Sequence, residues 1–443
     1  MRRRDRRALP GSRVSDCWAV TTVTAQQSSA TDSQWLPTIG SAAALGAIGA
    51  VAALAFSGVV AAGQSLLWPD VVDPSAFSGS WRIIAILTGA GLLVGVIHWL
   101  DPLAREENAF IVLGTGRIEL GAVRGGVLIA AVSLIGGFSL GPEVPTGMAA
   151  AGIAAWWGRR RGRPESQVRV DTTSAITGAW GGLFTTPFVA TLLNIELSVG
   201  ARVLEWRRIA ADATAAVVGF SVFFAIESGW SRTLRFLSLE PYTLEVWHLV
   251  LAVGLGIVGA LLGTLFKISA LMTRAIAVPL RDRPIIRSTM GGLVLGLVGF
   301  ALPLTLFLGT EGLTQVTENP EAIGIGLIVM SAIIKLVATS GALSFGFVGG
   351  PTFPLLFAGG ALGSVLYVAA PDVPEALAVT ALMAAASSAV ISAPFSLAVL
   401  SLLIAGAGAT EAPPVFIAAL VAFIAGRLIE EGMQSGKPMA RPE

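Results

Sequence analysis

The chain predicts an all-α polytopic membrane protein built from two related halves, and three observations carry that prediction. Of 443 residues, 54% are hydrophobic and only 13% are charged, where soluble domains carry roughly 25% charged residues; the mean hydropathy is +0.76. Apolar stretches follow one another along the whole length, at 38–67, 82–100, 121–140, 145–157, 172–198, 209–227, 246–273, 288–309, 322–339, 343–369, 375–408 and 413–429. Landmarks in the first stretches return at a nearly constant distance in the later ones. A straight span needs about 20 apolar residues. Several stretches are shorter, and several longer ones contain Gly or Pro. They therefore read as tilted spans, half-spans and re-entrant pieces, whose breaks must face protein or a wet cavity.

Residues 1–37 open on the arginine-rich run Met1 to Arg7 and continue mixed and polar to Ser33. A signal peptide would need an apolar run next, so this segment reads as a cytoplasmic tail held inside by its charge. The repeat then begins. Leu45-Gly46-Ala47-Ile48-Gly49-Ala50 returns as Leu255-Gly256-Ile257-Val258-Gly259-Ala260, with Phe56 and Phe266 at the same spacing beyond. Gly141-Pro142 returns as Gly350-Pro351, and Thr186-Pro187-Phe188 as Ala393-Pro394-Phe395. The competing explanation is chance among Gly- and Ala-rich helices, but three landmarks in one order argue for duplication. The first half is then 38–200, a linker with an extra helix 201–245, the second half 246–430 and a short tail 431–443. Arginines at 159, 160, 161 and 163, and at 281, 283 and 287, should lie on the cytoplasmic face; they read as topology determinants rather than substrate residues. Lys267, Lys335 and Glu227 lie in or at the ends of apolar segments and read as side chains snorkelling to the interface.

Two pentapeptides organise the halves: Gly141-Pro142-Glu143-Val144-Pro145 and Gly350-Pro351-Thr352-Phe353-Pro354. Each precedes a small-residue helix, and proline is favourable at a helix start, where its missing N–H costs nothing. Both read as helix starts at membrane depth, which aim unpaired N–H groups and partial positive charge inward. Interrupted helices in matching positions of duplicated halves point to a transport site between them. One copy carries an acid, Glu143, at that positive end; the other carries neutral Thr352.

These residues resemble the CLC chloride channels and proton-coupled chloride exchangers. The family's first signature, Gly-Ser-Gly-Ile-Pro, has a degenerate likeness in Gly114-Thr115-Gly116-Arg117-Ile118. Its second, Gly-(Arg/Lys)-Glu-Gly-Pro, is similar to residues 141–145. Its third, Gly-x-Phe-x-Pro, is similar to residues 350–354, continued by Leu356-Phe357-Ala358-Gly359-Gly360-Ala361-Leu362-Gly363. Ser392-Ala393-Pro394-Phe395 resembles a late Ala-Pro element. The likeness spans about residues 40–430 in order, but every motif is altered, so the chain is identified as a divergent member. The resemblance implies a CLC-like fold of two inverted repeats, a homodimer with one pore per subunit, and a dehydrated anion held by helix N-termini and hydroxyls. It implies Glu143 as the gating glutamate, with Thr115, Gly116, Gly141, Val144, Thr352, Phe353 and Leu355 around the anion.

A carboxylate carries the charge of chloride and can occupy the same nest of N–H groups, so proton and anion occupancy would be linked; an ordinary helix-capping Glu is the alternative. Hydroxyls in membrane helices also commonly bond their own backbone, which bears on Thr115. Three departures matter. Pro142 stands where the family has Arg or Lys, removing charge from a pore mouth. Leu197 stands where exchangers carry their second acid, leaving adjacent Glu196 as the candidate for a proton path. No tyrosine follows Tyr367, so the family's pore tyrosine has no match. Arg117 reads either as an anion-attracting pore residue or as a surface charge.

A net charge of +1 argues against nucleic acid, and a single cysteine with two histidines argues against a disulfide or metal cluster. No cofactor motif or catalytic constellation is visible, so an enzyme is not expected. The expected function is transport of chloride or a similar small anion across the plasma membrane, with protons as a second partner in the exchanger alternative. An inverted-repeat transporter of an organic solute is the reading from another class.

Overall fold

The computed structural model describes residues 35–69, 80–104, 109–198, 206–226 and 236–435. Residues 1–34 of the expected tail, Glu227 and residues 436–443 lie outside them. Seventeen α-helices make up the described chain, and eight are long and apolar enough to cross a membrane.

The first half comprises α1 (Trp35–Leu67), α2 (Trp81–Leu100), α3 (Ala109–Thr115), α4 (Leu120–Ile135), α5 (Glu143–Arg160), α6 (Glu165–Leu183), α7 (Pro187–Ser198) and α8 (Trp206–Ile226). The second comprises α9 (Val246–Ala277), α10 (Pro284–Ala301), α11 (Thr310–Glu318), α12 (Pro320–Ile323), α13 (Ile325–Phe345), α14 (Thr352–Ala369), α15 (Glu375–Ser388), α16 (Pro394–Ala405) and α17 (Ala412–Ser435). Helices α5 and α14 are each 18 residues long, and α7 and α16 each 12, so the lengths repeat along with the motifs.

The repeated glycine pair explains how each half packs. In lipid the hydrophobic effect does not drive helices together, so close backbone approach must. A Cβ on Gly46 would run into Ala215 of α8, and one on Gly49 into Ala175 of α6. In the second half, Gly256 faces Ala418 of α17 and Gly259 faces Ala385 of α15 in the same way. Helix α8, which the sequence reading put in a linker, thus packs on α1 and α6 as α17 packs on α9 and α15.

Two lysines depart from the snorkelling expectation. Lys267 of α9 pairs with Glu430 of α17 at 3.1 Å. Lys335, in the middle of α13, is fully buried. Its Nζ donates to the carbonyls of Leu304 (3.3 Å), Leu306 (2.8 Å) and Phe307 (3.1 Å) and lies 4.8 Å from the Phe357 ring centroid. All three ammonium donors are spent on one turn between α10 and α11, so the charge needs no water.

Candidate functional site

The two pentapeptides meet. Helix α4 ends at a turn with Gly137 at φ +81°, and α13 ends at a turn with Gly346 at φ +97°, a left-handed conformation that glycine adopts without penalty. Each chain then runs back inward. Phe138 and Phe347, the residues after those glycines, stack with ring centroids 3.8 Å apart. Gly141 and Gly350 form an antiparallel bridge: the Gly141 N–H donates to the Gly350 carbonyl (2.7 Å), and the Gly350 N–H to the Gly141 carbonyl (2.8 Å). Pro142 and Pro351 precede α5 and α14 with nearly the same dihedrals, φ −81°, ψ −5° and φ −88°, ψ −6°.

Glu143 is fully buried at this junction. Its carboxylate reaches across the junction. Oε1 accepts from the backbone N–H of Thr352 at 2.9 Å, so the acid that begins α5 sits on the N-terminus of α14. A helix N-terminus attracts negative charge by about 0.3–2 kcal/mol, and a hydrogen bond to an ionised group contributes about 1.5–3 kcal/mol. The Glu143 carbonyl accepts from Trp180 Nε1 at 2.7 Å, which fixes the backbone beneath the side chain. Oε2 has no partner among the described residues, nor has the buried Thr352 hydroxyl. The carboxylate fits because the flanking residues lack side chains: a Cβ on either Gly141 or Gly350 would overlap it.

Several sequence-predicted ligands hold to this junction and others do not. Val144, Thr352 and Phe353 lie in the first turns of α5 and α14 and are buried. Among the described residues, the N–H groups of Val144 and Phe353 have no backbone acceptor outside their helices, and as first-turn groups they have none within. Gly141 and Leu355 have no donor to offer, because their N–H groups are bonded to the carbonyls of Gly350 and Pro351. Thr115 and Gly116 lie at a helix end instead of a helix start. Thr115 is the last residue of α3, and its hydroxyl donates back to the Ile111 carbonyl at 2.8 Å. The Gly116 N–H donates to Val112. A helix C-terminus carries partial negative charge, which repels an anion. The residues before α3, 105–108, lie outside those described. Arg117 is exposed.

Glu196 stands at a second junction of the same design. From α7 it accepts, through Oε1, the N–H of Phe395 (2.9 Å) and, through Oε2, the N–H of Ser396 (2.8 Å) and the Ser396 hydroxyl. A first-half acid again caps a second-half helix, here α16.

Further contributors lie outside the predicted ligand set. Trp180 holds the Glu143 backbone and belongs to an aromatic row: Phe110 lies 5.1 Å from it, Phe184 6.0 Å, and Phe353 6.3 Å beyond Phe184. The buried Ser139 and Thr339 hydroxyls bond at 2.8 Å and tie the first re-entrant turn to α13. Lys335 lies one helical turn before Thr339, and its carbonyl accepts the Thr339 hydroxyl.

Comparison with known proteins agrees with this architecture. Residues 109–427 match the family described as "Voltage gated chloride channel". The chain is 29% identical over 317 residues to the "Putative ion-transport protein YfeO" of Salmonella newport, covering 69% of this chain and 74% of that one, and equally to its counterpart in Salmonella agona. It superposes on a crystal structure of a CLC-type fluoride/proton antiporter with a TM-score of 0.73 at 19% identity, over 90% of this chain and 97% of that one. A slow cyanobacterial Cl-/H+ antiporter gives 0.73 at 17% identity, over 90% and 98%. The chain therefore belongs to the voltage-gated chloride channel family, the CLC proteins, with a CLC-like fold of two inverted repeats, and is a multi-pass integral membrane protein of an ion-transporting family.

Proposed function

We propose that this protein moves chloride or a similar small anion between the two re-entrant helix starts, and that the Glu143 carboxylate gates the passage by occupying the anion's own seat. The observation that carries this reading is the Thr352 N–H to Glu143 hydrogen bond across the repeat interface. When the carboxylate leaves, the Thr352 and Phe353 N–H groups, the unpartnered Thr352 hydroxyl and the Val144 N–H of the facing helix form a nest of donors for one small anion. A bulky organic solute fits this junction poorly, since the two starts meet backbone to backbone at Gly141 and Gly350.

Proton coupling is the second reading, and one observation favours it. Glu143 is fully buried and its Oε2 has no partner, so moving it off the α14 terminus as a carboxylate would leave a bare charge in the interior. Such a charge neutralises instead, which makes a proton the natural companion of anion entry. Glu196 belongs to this reading only as a candidate, since its carboxylate is engaged with three α16 donors. A homodimer, expected from the resemblance, belongs to either reading and would be read by cross-linking in the bilayer.

Liposome reconstitution tests the proposal, with anion efflux and internal pH recorded together for wild type and Glu143→Gln. Anion efflux in wild type that becomes independent of a pH gradient in Glu143→Gln supports gating by this acid. No anion movement in either protein defeats the anion reading, and wild-type efflux without proton movement selects the passive conductor.

A further inference from the structure

Each re-entrant segment is braced by the opposite half of the chain, at two matching places. Gly137 and Gly346 precede the bridge glycines by four residues, and Ser139 and Val348 by two. In the second copy, His98 Nε2 lies 2.9 Å from the Gly346 carbonyl, and the Val348 N–H donates to Ser133 Oγ at 3.3 Å. In the first copy, the Phe307 N–H donates to the Gly137 carbonyl at 2.9 Å, and Ser139 bonds the Thr339 hydroxyl at 2.8 Å. The second set of braces is made by side chains acting directly. Behind both braces of the first copy stands one residue, Lys335.

The first connection runs through a peptide unit. Phe307 has φ +54°, a left-handed backbone that a bulky residue keeps only where its surroundings impose it. Those surroundings are the Lys335 ammonium, which gathers the Leu304, Leu306 and Phe307 carbonyls onto one point. The turn closes at Gly309, where a Cβ would come within 2.9 Å of Lys335 Cε. The Leu306 carbonyl and the Phe307 N–H belong to one planar trans peptide and point in opposite directions. That peptide is therefore strung between Lys335 Nζ, 2.8 Å from its oxygen, and the Gly137 carbonyl, 2.9 Å from its nitrogen. The second connection starts from the Lys335 backbone. Its carbonyl accepts the Thr339 hydroxyl at 2.8 Å, which leaves Thr339 Oγ1 to accept from Ser139.

A fully buried ammonium is a costly way to fill a helix interior, and no acid pairs with it among the described residues. Its chemistry explains its presence: lysine offers three donors from a single atom, where glutamine offers two and methionine none. The stretch it holds, 137–139, leads directly into Gly141 and Glu143. We propose that Lys335 is a positioning residue for the Glu143 gate: through the Phe307 peptide and Thr339 it fixes the first re-entrant segment, and so keeps the carboxylate on the α14 terminus. This rests on the gating reading above. Lys335 makes no hydrogen bond to Glu143, so it acts only through the segment between them.

The test is a double-mutant cycle read by chloride calorimetry, with wild type, Lys335→Met, Glu143→Gln and the double variant. A carboxylate that leaves its seat more often frees that seat for chloride, and apparent affinity follows the free fraction. Lys335→Met should therefore tighten chloride binding about three-fold in the wild-type background. Glu143→Gln, which has no carboxylate to release, should bind about ten-fold tighter than wild type and gain nothing from Lys335→Met. Loss of a merely structural lysine lowers Tm in both backgrounds, and it does not make the affinity change depend on Glu143. Equal affinity changes in the two backgrounds, or none in wild type, overturn the proposal. Weaker chloride binding in both would make Lys335 a fixed counter-charge to the anion, and overturns it too. If Lys335→Met fails to fold, Thr339→Val keeps the lysine and cuts the Ser139 connection. It should tighten binding about two-fold in wild type and leave Glu143→Gln unchanged, and equal changes in both, or none in wild type, contradict the proposal. A Glu143→Gln variant that binds chloride no tighter than wild type defeats the gating reading itself; a tighter one beside an unmoved Lys335→Met defeats the lysine's role alone.

Discussion

The segments 137–145 and 346–354 are two copies of one structure that differ in a single consequential side chain. Both leave a helix through a left-handed glycine, stack a phenylalanine, contribute a glycine to the shared bridge and restart after a proline. One restarts on Glu143 and the other on Thr352. Because the repeats face each other, the acid of one copy reaches the helix terminus of the other. Duplication supplied the seat, and loss of symmetry at one position supplied its occupant. Two acids at this junction would repel each other, and two threonines would leave the α14 terminus without a carboxylate.

Changes that erase this difference should have the largest effects. Glu143→Gln makes both helix starts neutral, and transport should lose its dependence on a pH gradient while anion passage persists; parallel recordings of anion and pH check this. Gly350→Ala attacks the same contact from the other copy. Its Cβ overlaps the Glu143 carboxylate, so it should reproduce the ungated flux of Glu143→Gln and, as an overpacking change, cost about 1–3 kcal/mol of stability, read as a lower Tm in detergent. If the variant instead stays gated with an unchanged Tm, the carboxylate does not reside between the two glycines.

Smaller effects sharpen the comparison. Thr352→Val keeps the shape of the second copy and removes a buried hydroxyl that has no partner. Stability should hold or rise by up to about 1 kcal/mol, while chloride affinity falls several-fold in calorimetry; a clear loss of stability would mean that the hydroxyl is already bonded. Glu196→Gln tests the second acid-on-helix junction. Removing a charged cap from α16 should cost about 1–2 kcal/mol in thermal unfolding without abolishing anion flux.

The sequence reached the global arrangement because its signals were of the right kind. Low charge and interrupted apolar runs describe the solvent around the chain, and Gly-Pro at a nearly fixed offset describes the duplication. It also brought Glu143, Val144, Thr352 and Phe353 to one place. It missed where direction along a helix decides. Thr115 sits at the end of α3, where its hydroxyl bonds the Ile111 carbonyl, and the local sequence does not announce that direction. It read Lys335 as snorkelling because the ammonium's partners lie about thirty residues upstream, in a turn whose shape the local sequence does not announce. It also read Arg287 with its neighbours as one charge cluster, whereas burial against Gly346 separates it from the exposed Arg281 and Arg283.

The central claim is that a carboxylate and the transported anion compete for the N-terminus of α14. Chloride binding by calorimetry, comparing purified wild type with Glu143→Gln at neutral pH, tests it most directly. Removing the resident charge should tighten chloride binding by about ten-fold, the equivalent of 1.4 kcal/mol. Equal or weaker binding in Glu143→Gln would contradict the account.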